Sequence, residues 1–316
     1  MARYKPIIKV AISAVFIAAV LHKVDLPAML SALAAIHAGY YGVSFILLLL
    51  NSLVLAGKFR LLLVPSGIQR SLAALFRINL LCRFYAFFLT PAVGQGLVRW
   101  VVTTKAQNDR GRFITVMVLE RASFLFVLSL AVLLLQLTLA SPGTERLRPL
   151  MMPLALGGLA ATGVILIYLF APRVNTAFNT LIGRIPKLGA LPFADRIVRP
   201  DHFVDFYLNR LSVLAACLAI ALLWHFVYLL RVYLLATAIG IPLNFLQLGW
   251  MASIVLLLQM IPITLNGIGL RESAYAFLFS LAALPAEKGV LLGLLFLTQM
   301  LIVAAIGGIV AFCDRD

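Results

Sequence analysis

Charged residues inside long apolar runs are costly and therefore informative, and in this sequence they are unevenly matched. Glu120 and Glu272 are the acids embedded in such runs; Arg77, Arg83, Arg121, Arg231 and Arg271 are the embedded bases, with Arg99 just past the end of one run. Two carboxylates cannot neutralise five guanidiniums, so pairing within the chain leaves positive charge over. A guanidinium fork suits phosphate, and the surplus points to an anionic, phosphorylated partner from outside the chain. One or two structural salt bridges are the plainer alternative for the pairs themselves.

Two stretches surround these charges with helix-breaking residues. In Leu89 to Arg99, Pro91 stops a helix, Gly94 and Gly96 open backbone conformations closed to other residues, and Arg99 follows. At membrane depth such a stretch must have its freed backbone amides satisfied by protein, water or ligand. In Ile261 to Glu272, Pro262 precedes Asn266, Gly267, Gly269, Arg271 and Glu272, and the apolar run after it, Ser273 to Leu284, is only 12 residues long. Twelve helical residues rise about 18 Å, short of the roughly 30 Å hydrocarbon core, which predicts a half-helix. Asn266 is its expected N-cap, and Glu272 lies in the first turn, where the helix dipole favours an acid. Both stretches read proline, Gly-x-Gly-Leu, then arginine. This is a weak internal repeat of the kind that marks a transport site between pseudo-symmetric halves; chance is the competing explanation. The Gly-x-Gly pattern lacks the strand and crossover context of a dinucleotide fingerprint.

His225, Tyr228 and Arg231 are spaced i, i+3 and i+6, which places them on one helical face beside Trp224 and Tyr233. That face is either a cavity lining for a headgroup or an interfacial belt with a hydrogen-bonded core histidine.

The elements that must position these groups are membrane spans. The 316 residues are 63% hydrophobic and 12% charged, against roughly 25% charged in soluble domains, and the mean hydropathy is +1.07. At about 20 residues per crossing, about six to eight crossings fit. Apolar runs occupy 6–21, 39–56, 72–93, 113–139, 151–171, 211–239, 244–263, 273–284 and 290–312. Their length and leucine content predict helices, and they lack the short alternation of a transmembrane barrel. The net charge of +15 reflects cytoplasmic loops and anionic headgroups rather than nucleic acid, for which no interleaved basic and aromatic surface exists. Cys82, Cys217 and Cys313 stand singly, so neither disulfides nor a metal site is expected.

Basic residues assign the orientation. Arg3, Lys5 and Lys9 place the N-terminus inside. If 72–93 re-enters rather than crosses, the connections with Lys58, Arg60 and Arg70, with Arg99, Lys105, Arg110 and Arg112, and from 172 to 210 are all cytoplasmic. Sixteen basic residues then lie inside against three outside, in the external segments 22–38, 141–149 and 240–243. The cost of Arg77 and Arg83 near the centre of a lipid-facing helix, about 2.5–3.5 kcal/mol each, favours the same reading.

The segments Pro91 to Arg99, Glu120-Arg121 and Pro262 to Glu272 together resemble the motifs of the lysylphosphatidylglycerol synthase transmembrane family of flippase-like membrane proteins. The family pattern runs Pro-x-x-x-Gly-(Glu/Asp)-x-x-Arg, then Glu-Arg at the start of a span, then proline followed by Gly-Gly-x-Gly-x-(Arg)-Glu. Pro91, Arg99, Glu120, Arg121, Pro262, Gly267, Gly269, Arg271 and Glu272 fit it. Two positions depart: no acid precedes Arg99, where Gln95 and Gly96 stand, and Asn266 replaces the first paired glycine. The soluble aminoacyl-transferase domain of longer relatives is not in the sequence, so the resemblance implies translocation of a lipid between leaflets rather than its synthesis.

The expectation is an all-α polytopic inner-membrane protein, a single integral membrane domain of about six to eight helices. Broken or re-entrant segments lie near 72–99 and 262–284, and a cytoplasmic loop near 172–210. Its function is that of a translocator for an anionic phospholipid or polyprenyl-phosphate lipid, with no cofactor and no nucleic-acid partner. Arg99, Arg121 and Arg271 would hold the phosphate, Glu120 and Glu272 would orient them, and Gly94, Gly96, Asn266, Gly267, Gly269, Arg83, His225, Tyr228 and Arg231 would complete the cleft. The sequence carries no nucleotide-binding motif, so movement would be facilitated or driven by an ion gradient. A membrane-embedded transferase using Glu120 or Glu272 as general base is the alternative, and a noncatalytic scaffold a third.

Overall fold

Leucine-rich runs with their backbone polar groups satisfied internally become helices in a bilayer, because no water is there to bond an open backbone. The computed structural model describes residues 27, 34–64, 67–88, 98–99, 101–103, 111–139, 142–170, 207, 210–261, 264 and 267–313. Among the described residues eight helices carry the fold: α1 (Ala38–Leu63), α2 (Leu72–Phe88), α3 (Gly111–Thr138), α4 (Pro142–Phe170), α5 (Leu211–Ala238), α6 (Phe245–Gln259), α7 (Leu270–Leu281) and α8 (Ala286–Cys313). No strand occurs among the described residues. Stretches within α1, α3, α4, α5 and α8 are long and apolar enough to cross a membrane, with mean hydropathies between 1.9 and 2.4. The protein is an all-α, multi-pass membrane protein. The first expected span, 6–21, most of the loop 172–210, and Gly94, Gly96, Pro91, Pro262 and Asn266 lie outside the described residues.

Several expected boundaries move. Helix α1 continues through the expected connection at 57–71 as far as Leu63, carrying Lys58 and Arg60 with it. Lys58 is fully buried rather than in a loop, because the helix places it against Phe124, with Nζ 3.5 Å from the ring centroid. The expected external loop 141–149 is instead the first part of α4, which begins at Pro142, holds Pro149 and Pro153 internally, and pairs Glu145 with Arg148 at 4.0 Å. The helix after the glycines is short: α7 has 12 residues. Its N-cap is Gly269, not Asn266, because Glu272 reaches back and accepts from the Gly269 N–H at 2.7 Å, closing the first turn there. The two bends before it need glycine: Gly267 has φ +76° and Gly269 φ +81°, both strained for an L side chain.

Packing follows the small residues. Helix α1 lies along α5, α3 against α4, and α8 against both α7 and α2. Two glycine notches on α8 permit those last two approaches. A Cβ on Gly289 would fall 2.7 Å from the Tyr275 carbonyl oxygen, and one on Gly293 would fall 2.8 Å from Glu272 Cγ. At the other end, a Cβ on Gly307 would fall 2.8 Å from the Leu80 carbonyl carbon of α2. Small residues four apart let membrane helices meet backbone to backbone where no hydrophobic force drives them together.

Helix α6 is capped by a reciprocal box. Asn244 Oδ1 accepts from the Gln247 N–H at 2.8 Å, and Gln247 Oε1 accepts from the Asn244 N–H at 3.3 Å. Asn244→Ala is expected to lower stability by about 1 kcal/mol and Tm by about 2 °C, read as a thermal melt of the detergent-solubilised protein. An unchanged melt would show that the cap adds nothing.

Candidate functional site

The charged residues singled out above sit at helical spacing, which turns each set toward one side of its helix. Asn79, Cys82 and Arg83 repeat at three and four residues on α2; Glu120, Phe124 and Leu128 at four on α3; Trp224, Tyr228 and Arg231 at four and three on α5; Phe296 and Met300 at four on α8. Together with Arg99, Arg121, Gln259 and Arg271 they enclose one cavity of about 280 Å³. It lies where separate packing clusters meet: Cys82 belongs to a core drawn from α1 to α5, Leu48 to a small cluster of α1, α2 and α8, and Leu128, Tyr228 and Phe296 to a core drawn from α3 to α8.

Five arginines line this cavity, and Glu120 is the one carboxylate among the lining residues. Arg99 is buried, donates from Nη2 to Asn79 Oδ1 at 2.9 Å, and stands 3.9 Å from Glu120 Oε1. Its guanidinium lies 4.5 Å from the centre of the Phe59 ring. Asn79 is held by donating to the Ser52 carbonyl at 3.1 Å. Arg121 is 3.7 Å from the other oxygen of Glu120, with its side chain 54% exposed. Lys58 donates to the backbone carbonyl of Glu120 at 3.3 Å, so this end of the site gathers three cations around one acid.

At the other end the acid is turned aside. Glu272 lies 3.6 Å from Arg271 Nε, but its second oxygen is committed to the Gly269 N–H, and Glu272 does not line the cavity. Arg271 Nη1 donates to Met300 Sδ at 3.2 Å, and Nη2 makes no hydrogen bond among the described residues. Arg231 donates from Nε to Gln299 Oε1 at 3.0 Å, its Nη2 likewise unbonded, and both guanidiniums lie over the Phe296 ring, at 4.4 and 5.7 Å. Gln299 is itself anchored, donating to Ser44 Oγ at 2.6 Å and to the Tyr41 carbonyl at 3.3 Å. A buried donor left unmade costs about 1–3 kcal/mol, more when charged. Cations held by neutral partners and an aromatic face are poised for an anion.

The structure therefore brings Arg83, Arg99, Glu120, Arg121, Tyr228, Arg231 and Arg271 to one cavity. It does not bring His225, whose Nε2 pairs with Ser253 Oγ on α6 at 3.1 Å; the i, i+3, i+6 set spans too wide an arc for all three side chains to share one cavity. Arg77, expected to be embedded, is exposed on α2, since it lies on the side away from Asn79 and Arg83. Gly267 and Gly269 form the turn that carries Arg271 rather than the wall. Sequence reasoning passed over Gln259, Phe296 and Met300 in the lining, and Gln299 behind Arg231. A lone glutamine within an apolar helix was the available signal for Gln299; an aromatic or a methionine in such a helix carries none. Among the described residues, no three His, Cys, Asp or Glu side chains come together as a metal site.

In comparison with protein families, the model described as the lysylphosphatidylglycerol synthase TM region matches residues 7–308. Neither curated proteins nor solved structures give a match.

Proposed function

The chain belongs to the family of the lysylphosphatidylglycerol synthase transmembrane region, a membrane domain linked to lipid handling, and from that premise we propose that it translocates an anionic lipid between leaflets. The observation that carries the reading is the cavity in which five arginines face one carboxylate. A phosphate entering it would receive charge-assisted hydrogen bonds from Arg99, Arg231 and Arg271, each roughly twice as strong as a neutral one. Glu120 and Glu272 would hold neighbouring guanidiniums in place. The cavity lies below the roughly 300–1,000 Å³ of sites that enclose drug-sized ligands, so it suits a headgroup whose tails stay in the bilayer. In this reading α7 and the segment around Arg99 are the broken elements of a single integral membrane domain, the N-terminus is cytoplasmic, and the host is the inner membrane.

Vesicles containing the purified protein and a fluorescent anionic phospholipid test it, with transbilayer exchange followed by quenching from outside. Arg271→Ala and Glu272→Gln are each expected to slow exchange at least about tenfold, the worth of one charge-assisted hydrogen bond. Unchanged exchange in both variants would remove this cavity from the mechanism, and product formed from a lipid-linked donor by the purified protein would move the assignment to a transferase.

A further inference from the structure

Pairing within the cavity is incomplete in a way that specifies the charge of the visitor. Glu120 serves Arg99 and Arg121, and Glu272 serves Arg271. Arg121 opens outward, its side chain 54% exposed. Arg83 and Arg231 have no carboxylate partner among the described residues, although Arg231 is 4% exposed and both line the cavity. Two guanidiniums inside thus lack a carboxylate, and buried Lys58, held by the Glu120 backbone carbonyl and the Phe124 ring, adds to the surplus; an uncompensated buried charge is strongly destabilising.

We propose that the headgroup bound here ends in a terminal phosphate, as in phosphatidate or a polyprenyl monophosphate, rather than in a phosphodiester such as phosphatidylglycerol; this rests on the translocation reading and narrows its substrate. A phosphomonoester carries about −1.5 to −2 charges at neutral pH and three acceptor oxygens, which matches the pair Arg83 and Arg231. A phosphodiester brings a single charge and leaves one guanidinium unanswered.

Binding to the full chain in detergent separates this from translocation itself, with short-chain phosphatidate, short-chain phosphatidylglycerol and inorganic phosphate as the titrants. Phosphatidate is expected to bind at least about tenfold more tightly than phosphatidylglycerol. Arg83→Gln, at a half-buried position, and Arg231→Gln are both expected to erase that preference, while Arg231→Lys, which keeps the charge, is expected to retain most of it, with melting curves recorded to show that each variant is folded. Equal binding of the two lipids by the unaltered protein overturns the inference and leaves translocation standing. Inorganic phosphate binding as tightly as expected for the lipid, without displacement by phosphatidate, assigns the site to free phosphate and overturns the lipid headgroup. A preference for phosphatidate in a protein that exchanges no lipid in vesicles upholds the headgroup assignment while the translocation reading fails.

Discussion

Glu120→Ala is expected to lower the unfolding free energy by about 3–5 kcal/mol, the usual penalty when one member of a buried ion pair is removed and the other charge stays. Glu120 is almost wholly buried and faces Arg99, itself 8% exposed at the side chain, and Arg121. Its own backbone carbonyl holds Lys58, whose side chain is also enclosed. Without the carboxylate, Arg99 keeps neutral partners such as Asn79 and the Phe59 face. The measurement is denaturant unfolding in detergent, compared with the double replacement Arg99→Met with Glu120→Leu. The double variant is expected to recover much of the loss, because removing both charges removes the desolvation penalty along with the attraction. If the single variant unfolds like the unaltered protein, Glu120 does not hold these cations; if the double variant is the less stable one, the cost lies in packing rather than charge.

Gly293→Leu is the second large effect. Even a Cβ at this position would lie 2.8 Å from Glu272 Cγ and 3.0 Å from Glu272 Cα, so a leucine has no room unless α7 moves off α8. Overpacking of this kind costs about 1–3 kcal/mol, and here the displaced residue is the one that closes the first turn of α7 and flanks Arg271. Lipid exchange is expected to be lost while the protein still inserts in the membrane, and Gly293→Ala should fall between the two. Full exchange by the leucine variant would show that the close approach of α7 and α8 does not position the site. Gly307→Leu is a useful comparison, since it crowds α2 instead, at the Leu80 carbonyl.

The sequence by itself determined that this chain lives in a membrane and that its arginines outnumber the acids able to answer them. Both follow from composition along the chain, because the transfer of apolar side chains and the cost of charge in hydrocarbon depend on residue type before any contact is made. It also marked the glycine turn ahead of α7, where positive φ at Gly267 and Gly269 leaves little choice of residue, and it singled out Arg99 and Arg271, which both line one cavity.

Only tertiary structure decided which charged side chains face inward. Arg77 and Arg83 read alike, yet one is exposed and the other lines the cavity; His225 turns to Ser253 while Tyr228 and Arg231 do not. In a helix apolar all round, hydropathy carries no signal of rotation, and rotation is set by the neighbour that packs closest, here through notches such as Gly293 and Gly307. Lys58 and Gln299 were illegible for the same reason: a cation becomes buried when Phe124 arrives from another helix, and a glutamine becomes an anchor when Arg231 and Ser44 arrive from two others. Those partners lie 68 and 255 residues from Gln299 along the chain, and no spacing rule reaches that far.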